Sequence, residues 1–222
     1  MSHQHHDIFE NRKQFQLERL ILFSDAVFAI AITLLVIEIR VPEIHHSINL
    51  TEDLGNALWE MFPEFFGFVL SFAVIGQFWT NHHRLFGLVT NFNGGLLWLN
   101  LLMLFWIVWV PFTSSMNSKY GGTPLVWQIY CLNLFMIGLS LVFLYRYIGN
   151  PKHDLSSLTT DKIGRRFSIY RSVAISMIFL FSAAYSCLPF KNSLNIARFT
   201  LFLIPIVIAL INWKYRKVLK HK

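Results

Sequence analysis

The chain has 222 residues, of which 55% are hydrophobic, 16% aromatic and only 14% charged, with a formal net charge of +7. Soluble domains carry about 25% charged residues, and here a mean hydropathy of +0.48 goes with uncharged runs too long for a water-soluble core. Disordered, collagen-like and small disulfide-stapled proteins are excluded; the composition is that of an integral membrane protein.

A membrane-spanning helix needs about 20 mostly apolar residues, and six segments meet that requirement. The first covers about 18–40; within it Leu20–Ile39 holds only two acids, Asp25 and Glu38. The second covers about 54–80, its apolar part Phe65–Thr80 extended backward past Pro63. The third, about 93–113, sits inside the uncharged run Leu85–Ser118. The fourth and fifth cover about 124–146 and 171–190. The sixth, about 196–213, is short and contains Pro205, with Arg198 placed to snorkel. The fold class is all-α: one six-helix transmembrane domain over residues 1–222, with no soluble domain.

The basic residues orient it. Of nineteen Lys and Arg, four (Arg40, Lys119, Lys191 and Arg198) fall on one side of the six spans and fifteen on the other. The positive-inside rule then puts both termini in the cytoplasm, and the expected location is the cell (plasma) membrane, crossed several times. The positive charge is a topology signal. A nucleic-acid partner would need a basic face on a folded soluble domain. Met1–Arg19 is polar and His-rich, so it does not read as a cleavable signal peptide, and His3, His5 and His6 read as a polar tail. Cys131 and Cys187 fall inside spans and read as small packing residues. The longest polar stretch, Gly149–Arg171, reads as a solvated basic loop.

Function must then lie in polar groups held within the spans, where they are costly. Asp25 lies about a turn and a half inside the membrane from Arg19, next to Ser24 and the small Ala26 and Ala29. On a helical wheel of 100° per residue, Ile30, Thr33, Leu34 and Ile37 share one face, whereas Asp25 points about 140° away from Ile30. Asp25 therefore needs a partner within its own subunit and cannot form a ring of charge with the Ile30 face. The second span ends Trp79-Thr80-Asn81-His82-His83-Arg84. Adjacent histidines point about 100° apart and cannot chelate one ion together, and no third ligand stands at metal spacing. The pair reads as a hydrogen-bond hub, one His reaching Asp25 or Ser24. Asn100 in the third span reads as a further interhelical donor. No nucleophile–base pairing supports an enzyme.

Arg19-x-x-x-Phe23-Ser24-Asp25-x-x-Phe28-Ala29, followed by Thr33-Leu34-Leu35, resembles the signature of the endo-lysosomal potassium-channel family and its prokaryotic homologues. Trp79-x-x-His82-His83-Arg84 and Asn100…Pro111-Phe112 resemble further features of the same family. The resemblance implies a cation channel lacking the TVGYG filter, and none occurs here. Animal members carry two six-helix repeats per chain; this chain has one, like the prokaryotic members, which assemble as homotetramers. It further implies that the first helix lines the pore, with Ile30 as the apolar constriction, Thr33 as a hydroxyl layer that helps select potassium, and Leu34 and Ile37 continuing the face. Arg19, Ser24, Asp25, His82 or His83, and Asn100 would form the polar network that locks the first helix in place. No cofactor or resident metal is implied, only K+ in transit. The rival reading is a proton-coupled secondary transporter using Asp25 and His82 or His83; it calls for a midplane site, often in inverted repeats, and Asp25 lies toward one end.

Overall fold

The computed structural model describes residues 2–44, 49–156 and 162–220, with side chains described from Arg12 to Lys217 within those stretches, Lys162 apart; the side chains of His3, His5 and His6 lie outside them. The described residues form an all-helical bundle. In chain order it comprises α1 (Ser2–Ile37), α2 (Leu50–Glu60), α3 (Phe62–Phe86), α4 (Gly94–Val108), α5 (Val110–Tyr120), α6 (Pro124–Ile148), α7 (Lys162–Ser186), α8 (Ser193–Phe199) and α9 (Leu203–Lys220). Six stretches are long and apolar enough to cross a bilayer: Arg12–Ile37, Phe62–Phe86, Gly94–Tyr120, Pro124–Ile148, Ile163–Ser186 and Ser193–Lys217. The six-span, all-α expectation is met.

The bounds differ from the sequence expectation wherever proline intervenes. The second span does not reach back to residue 54. Pro63 has no N–H, and its ring excludes a preceding helical carbonyl, so the chain breaks at Met61 and Pro63 opens α3 in its first turn. The residues before the break form the separate helix α2, capped by Asn49 and fully on the surface. The third crossing likewise bends at Trp109, where Pro111 ends the hydrogen-bond ladder of α4 and begins that of α5. The sixth is α8 and α9 joined through a single tight turn, Thr200–Phe202, three to five residues before Pro205. α7 begins nine residues earlier than expected, at Lys162, so its first turns take up much of the stretch read as a basic loop.

α6 is the central helix. Leu134, Ile137, Leu141 and Leu144 are fully buried among Leu96, Met103 and Ile107 of α4 and Phe179 of α7. Its contact with α7 is close because Gly138 faces Ser176, and a Cβ there would overlap the serine side chain. Outward positions such as Val69, Trp98, Phe105 and Phe181 are exposed and apolar, as helices in hydrocarbon require. Cys131 is buried as expected, whereas Cys187 lies past the end of α7 and is exposed; both are free.

At the end of the bundle that carries Arg84 and Arg146, the connection after α6 is tied down. The amides of Thr90 and Asn91 both donate to the Leu155 carbonyl at 2.8 and 3.3 Å, Ser156 Oγ donates to the Ile148 carbonyl, and His153 stacks on Tyr147 at 4.0 Å. Leu155 is fully buried beneath these contacts.

Candidate functional site

α1 packs on α3, α4 and α5 through Leu17, Leu20, Ser24, Phe28, Ala31 and Leu35, all buried. These six recur every three or four residues and so form one stripe along the helix. The opposite stripe carries Ile30, Thr33, Leu34 and Ile37. Ile30 is 57% exposed, Leu34 37% and Ile37 69%, although all three are large and apolar. Thr33 turns its hydroxyl back on its own helix, Oγ1 donating to the Ile30 carbonyl at 2.9 Å, which leaves the oxygen's lone pairs facing outward. The wheel grouping of these four residues is therefore also their grouping in space: one face, turned out of the subunit.

Behind that face the polar residues assemble into a relay across three helices. His82 Nε2 on α3 donates to Asn100 Oδ1 on α4 at 2.8 Å. Asn100 Nδ2 donates to Ser24 Oγ on α1 at 2.8 Å. Ser24 Oγ in turn donates to the Leu20 carbonyl at 2.7 Å. The order follows from the acceptors, because the serine proton is committed to Leu20 and the amide oxygen can only receive, which fixes the proton of His82 on Nε2. All three side chains are buried. The imidazole lies between Phe86, stacked at 4.1 Å, and Phe28 of α1 at 5.4 Å. Small, fully paired polar groups between helices are the glue available where there is no water to drive association.

Asp25 takes a different partner from the one expected. Neither histidine reaches it; Trp79 does, its indole Nε1 donating to Asp25 Oδ1 at 2.9 Å. His83 is exposed and stacks on the Trp79 ring at 5.3 Å, so it supports the donor and not the carboxylate. Arg19 is not brought into the group. It lies six residues before Asp25, about 9 Å along the axis and 120° around it, and its guanidinium sits over the Phe15 ring at 5.7 Å. From sequence alone, Trp79 has no assigned partner and no place in the polar network. The available signal was Asp25 itself: a lone carboxylate at that depth needs a strong N–H donor, and Trp79 stands one helical turn before His82. Two further polar clasps were also missed. Ser71 on α3 bonds Ser114 on α5 and Tyr130 on α6 at 2.7 and 3.0 Å, and Ser115 Oγ donates to Glu38 Oε2 at 2.8 Å just beyond the end of α1.

Replacing Trp79 by phenylalanine keeps the ring and removes the donor. A hydrogen bond to a charged group is worth about 1.5–3 kcal/mol, so W79F is expected to lower stability in detergent by about 2 kcal/mol. The double variant carrying Asp25→Asn as well is expected to lose less, because the uncompensated charge is gone. Equal losses in the two variants would mean that Trp79 acts by packing alone. Among the described residues, no three His, Cys, Asp or Glu side chains come together as a metal site would require.

Fold and site together describe a polytopic membrane protein whose first helix is anchored by buried polar groups on one side and offers an apolar, hydroxyl-bearing face on the other. The family model for the endosomal/lysosomal potassium channel TMEM175 matches residues 19–111. A potassium channel of Chryseobacterium sp. is 32% identical over 157 residues, covering 70% of this chain and 76% of that one. A potassium channel of Chamaesiphon minutus is 41% identical over 111 residues; that match spans 50% of this chain and about half, 54%, of the relative. The human endosomal/lysosomal proton channel TMEM175 is 23% identical over 211 residues, 92% of this chain but 41% of the human one. Among solved structures, the lysosomal potassium-selective channel TMEM175 homologue from Chamaesiphon minutus superposes with a TM-score of 0.69 at 29% identity, covering 88% of this chain and 97% of that one. A variant of the potassium channel MtTMEM175 shares the fold, with a TM-score of 0.54 at 22% identity, covering 90% of this chain and 93% of that one. The chain belongs to the TMEM175 family.

Proposed function

We propose that the chain forms a potassium channel in the cell membrane, as a homotetramer with both termini in the cytoplasm and α1 lining a central pore. The observation that carries this reading is the exposed face of Ile30, Thr33, Leu34 and Ile37 directly opposite the stripe that fixes α1 to α3, α4 and α5. Four isoleucines around an axis make a hydrophobic constriction, which gates by dewetting. Weakly hydrated K+ crosses such a ring at lower cost than Na+, helped by the Thr33 hydroxyls, so the selectivity is modest. The relatives named as potassium channels support the ion.

The transporter alternative draws Asp25 and a histidine into one proton relay. Asp25 bonds Trp79 while His82 bonds Asn100, and that separation favours the channel.

The test is reconstitution of the purified protein in planar bilayers with K+ on one side and Na+ on the other. Channel-like currents that do not saturate as coupled flux would, with a reversal potential favouring K+ by well under a thousandfold, are expected. Flux that requires a proton gradient would replace the channel reading by the exchanger.

A further inference from the structure

α3 packs on α1 and α5, and α9 packs on α7, whereas α3 and α9 have no substantial packing on each other. The gap between them is a cavity of about 1050 Å³. One wall runs along α3 from Pro63 to Asn81, and the other is made by Ile175 and Phe179 of α7 with Ile204 and Ile208 of α9. At 1.5 Å per residue the α3 wall is about 27 Å long, so each half of it matches the depth of one leaflet, about 15 Å of a hydrocarbon core of about 30 Å. No residue of α1 lines it, so it is separate from the face proposed to line the pore.

Most of this wall is apolar, but one end is not. There the α5–α6 turn and α8 bring together Asn117, Gly121 and Arg198. The guanidinium of Arg198 donates to the Gly121 carbonyl and lies over the Trp127 ring at 5.6 Å. Among the described residues no carboxylate pairs with it. Asn117 Oδ1 at the same end is buried without a hydrogen-bond partner. Lys119 also lines this end, and it lines as well a second, small cleft along with Glu38 and Glu64.

A slot of this length left empty in hydrocarbon would forfeit dispersion contacts along both walls, and its cationic end has donors to spare. We propose that it binds an anionic phospholipid, one per subunit, with acyl chains laid along α3 and the headgroup phosphate on Arg198. The lipid fills the gap between α3 and α9. Charge complementarity at Arg198, a guanidinium with which no described carboxylate pairs, argues for this occupant; a helix of a neighbouring subunit is the alternative that the labelling below would reveal.

Native mass spectrometry of the purified full-length oligomer, titrated with phosphatidylglycerol or with phosphatidylcholine of the same chains, tests it. One phosphatidylglycerol per subunit is expected to be held about tenfold more tightly than phosphatidylcholine, the effect of a single charge-assisted contact. R198Q is expected to abolish that preference, R198K to keep part of it, and Ala73→Trp, which puts a ring into the slot, to weaken both lipids. Equal binding of the two lipids by the wild type overturns the proposal, and so does an undiminished preference in folded R198Q. Because Arg198 also holds Gly121, the wild-type comparison stands without the variant. A photoreactive side chain in place of Ala73 is expected to label lipid; labelling of a second copy of the chain would assign the slot to a subunit interface and overturn the proposal.

Discussion

Exchanging Ile30 for asparagine is expected to raise the current through reconstituted protein about tenfold, the effect of lowering the barrier by about 1.4 kcal/mol, and to narrow the preference for K+ over Na+. Ile30 is the first large apolar side chain on the exposed face of α1 beyond the anchor. In the proposed channel a ring of such side chains would repel water, and the free energy of wetting it would be the gate. Asparagine at the same position keeps the chain's bulk and supplies donors and acceptors, so water and strongly hydrated Na+ both enter more easily. The position of the substitution matters as much as its chemistry. Val36 is also exposed on α1, but it lies about 120° around the helix from Ile30, and Val36→Asn is expected to leave the current unchanged. Equal effects at the two positions would mean that polarity anywhere on α1 perturbs the protein and that Ile30 is no constriction.

Asn100→Leu is expected to be the most damaging single change to the anchor. The leucine is close in size, but it strands the Nε2 proton of His82 and a lone pair of Ser24, both buried. Each orphaned buried group costs about 1–3 kcal/mol in water-soluble proteins, although interhelical hydrogen bonds in membranes average about 0.6 kcal/mol. A loss of roughly 2–4 kcal/mol follows from the orphaned pair, readable as a fall in the thermal or denaturant midpoint in detergent. The triple variant S24A/H82F/N100L, apolar throughout, is expected to recover part of that loss, because no polar group is then left unpaired. A triple variant less stable than N100L would show that the relay is worth more than the cost of leaving its members alone.

The crossings are legible because hydrocarbon imposes one rule on every spanning segment, and a run of about 20 apolar residues satisfies it whatever the neighbours do. What proline does at the ends is also written in the sequence, at Pro63, Pro111 and Pro205, but composition alone treats each as tolerated inside a span and not as the place where a helix breaks. The exposed face of α1 can be grouped because a helix has a fixed 100° step, so Ile30, Thr33, Leu34 and Ile37 coincide wherever α1 is placed. Partner choice is not legible in this way. That Asn100 bonds both His82 and Ser24, and that Trp79 reaches Asp25, depends on the depth and rotation of three helices that are far apart in the chain. Residue type narrows the candidates to donors and acceptors at the same depth, and only packing selects among them. Arg19 shows the same limit from the other side: it is a strong donor near Asp25 in sequence, yet it points to the wrong side of the helix.

α1 has neither glycine nor proline between Ser2 and Ile37, so nothing along it acts as a hinge. If the helix tilted as a rigid rod about the level of Ser24 and Asp25, which are hydrogen-bonded to α4 and α3, the displacement of each residue would scale with its distance from that level. Ile30 stands about 9 Å from that level and Ile37 about 20 Å from it. A tilt of about 5° about Ser24 would therefore carry Ile37 sideways by about 1.7 Å but Ile30 by less than half of that. Any force applied to the N-terminal arm on the other side of that level would then move both in the opposite direction. On the proposed reading of this face as pore-lining, such a tilt would change the widths at Ile30 and at Ile37 together and in a fixed ratio.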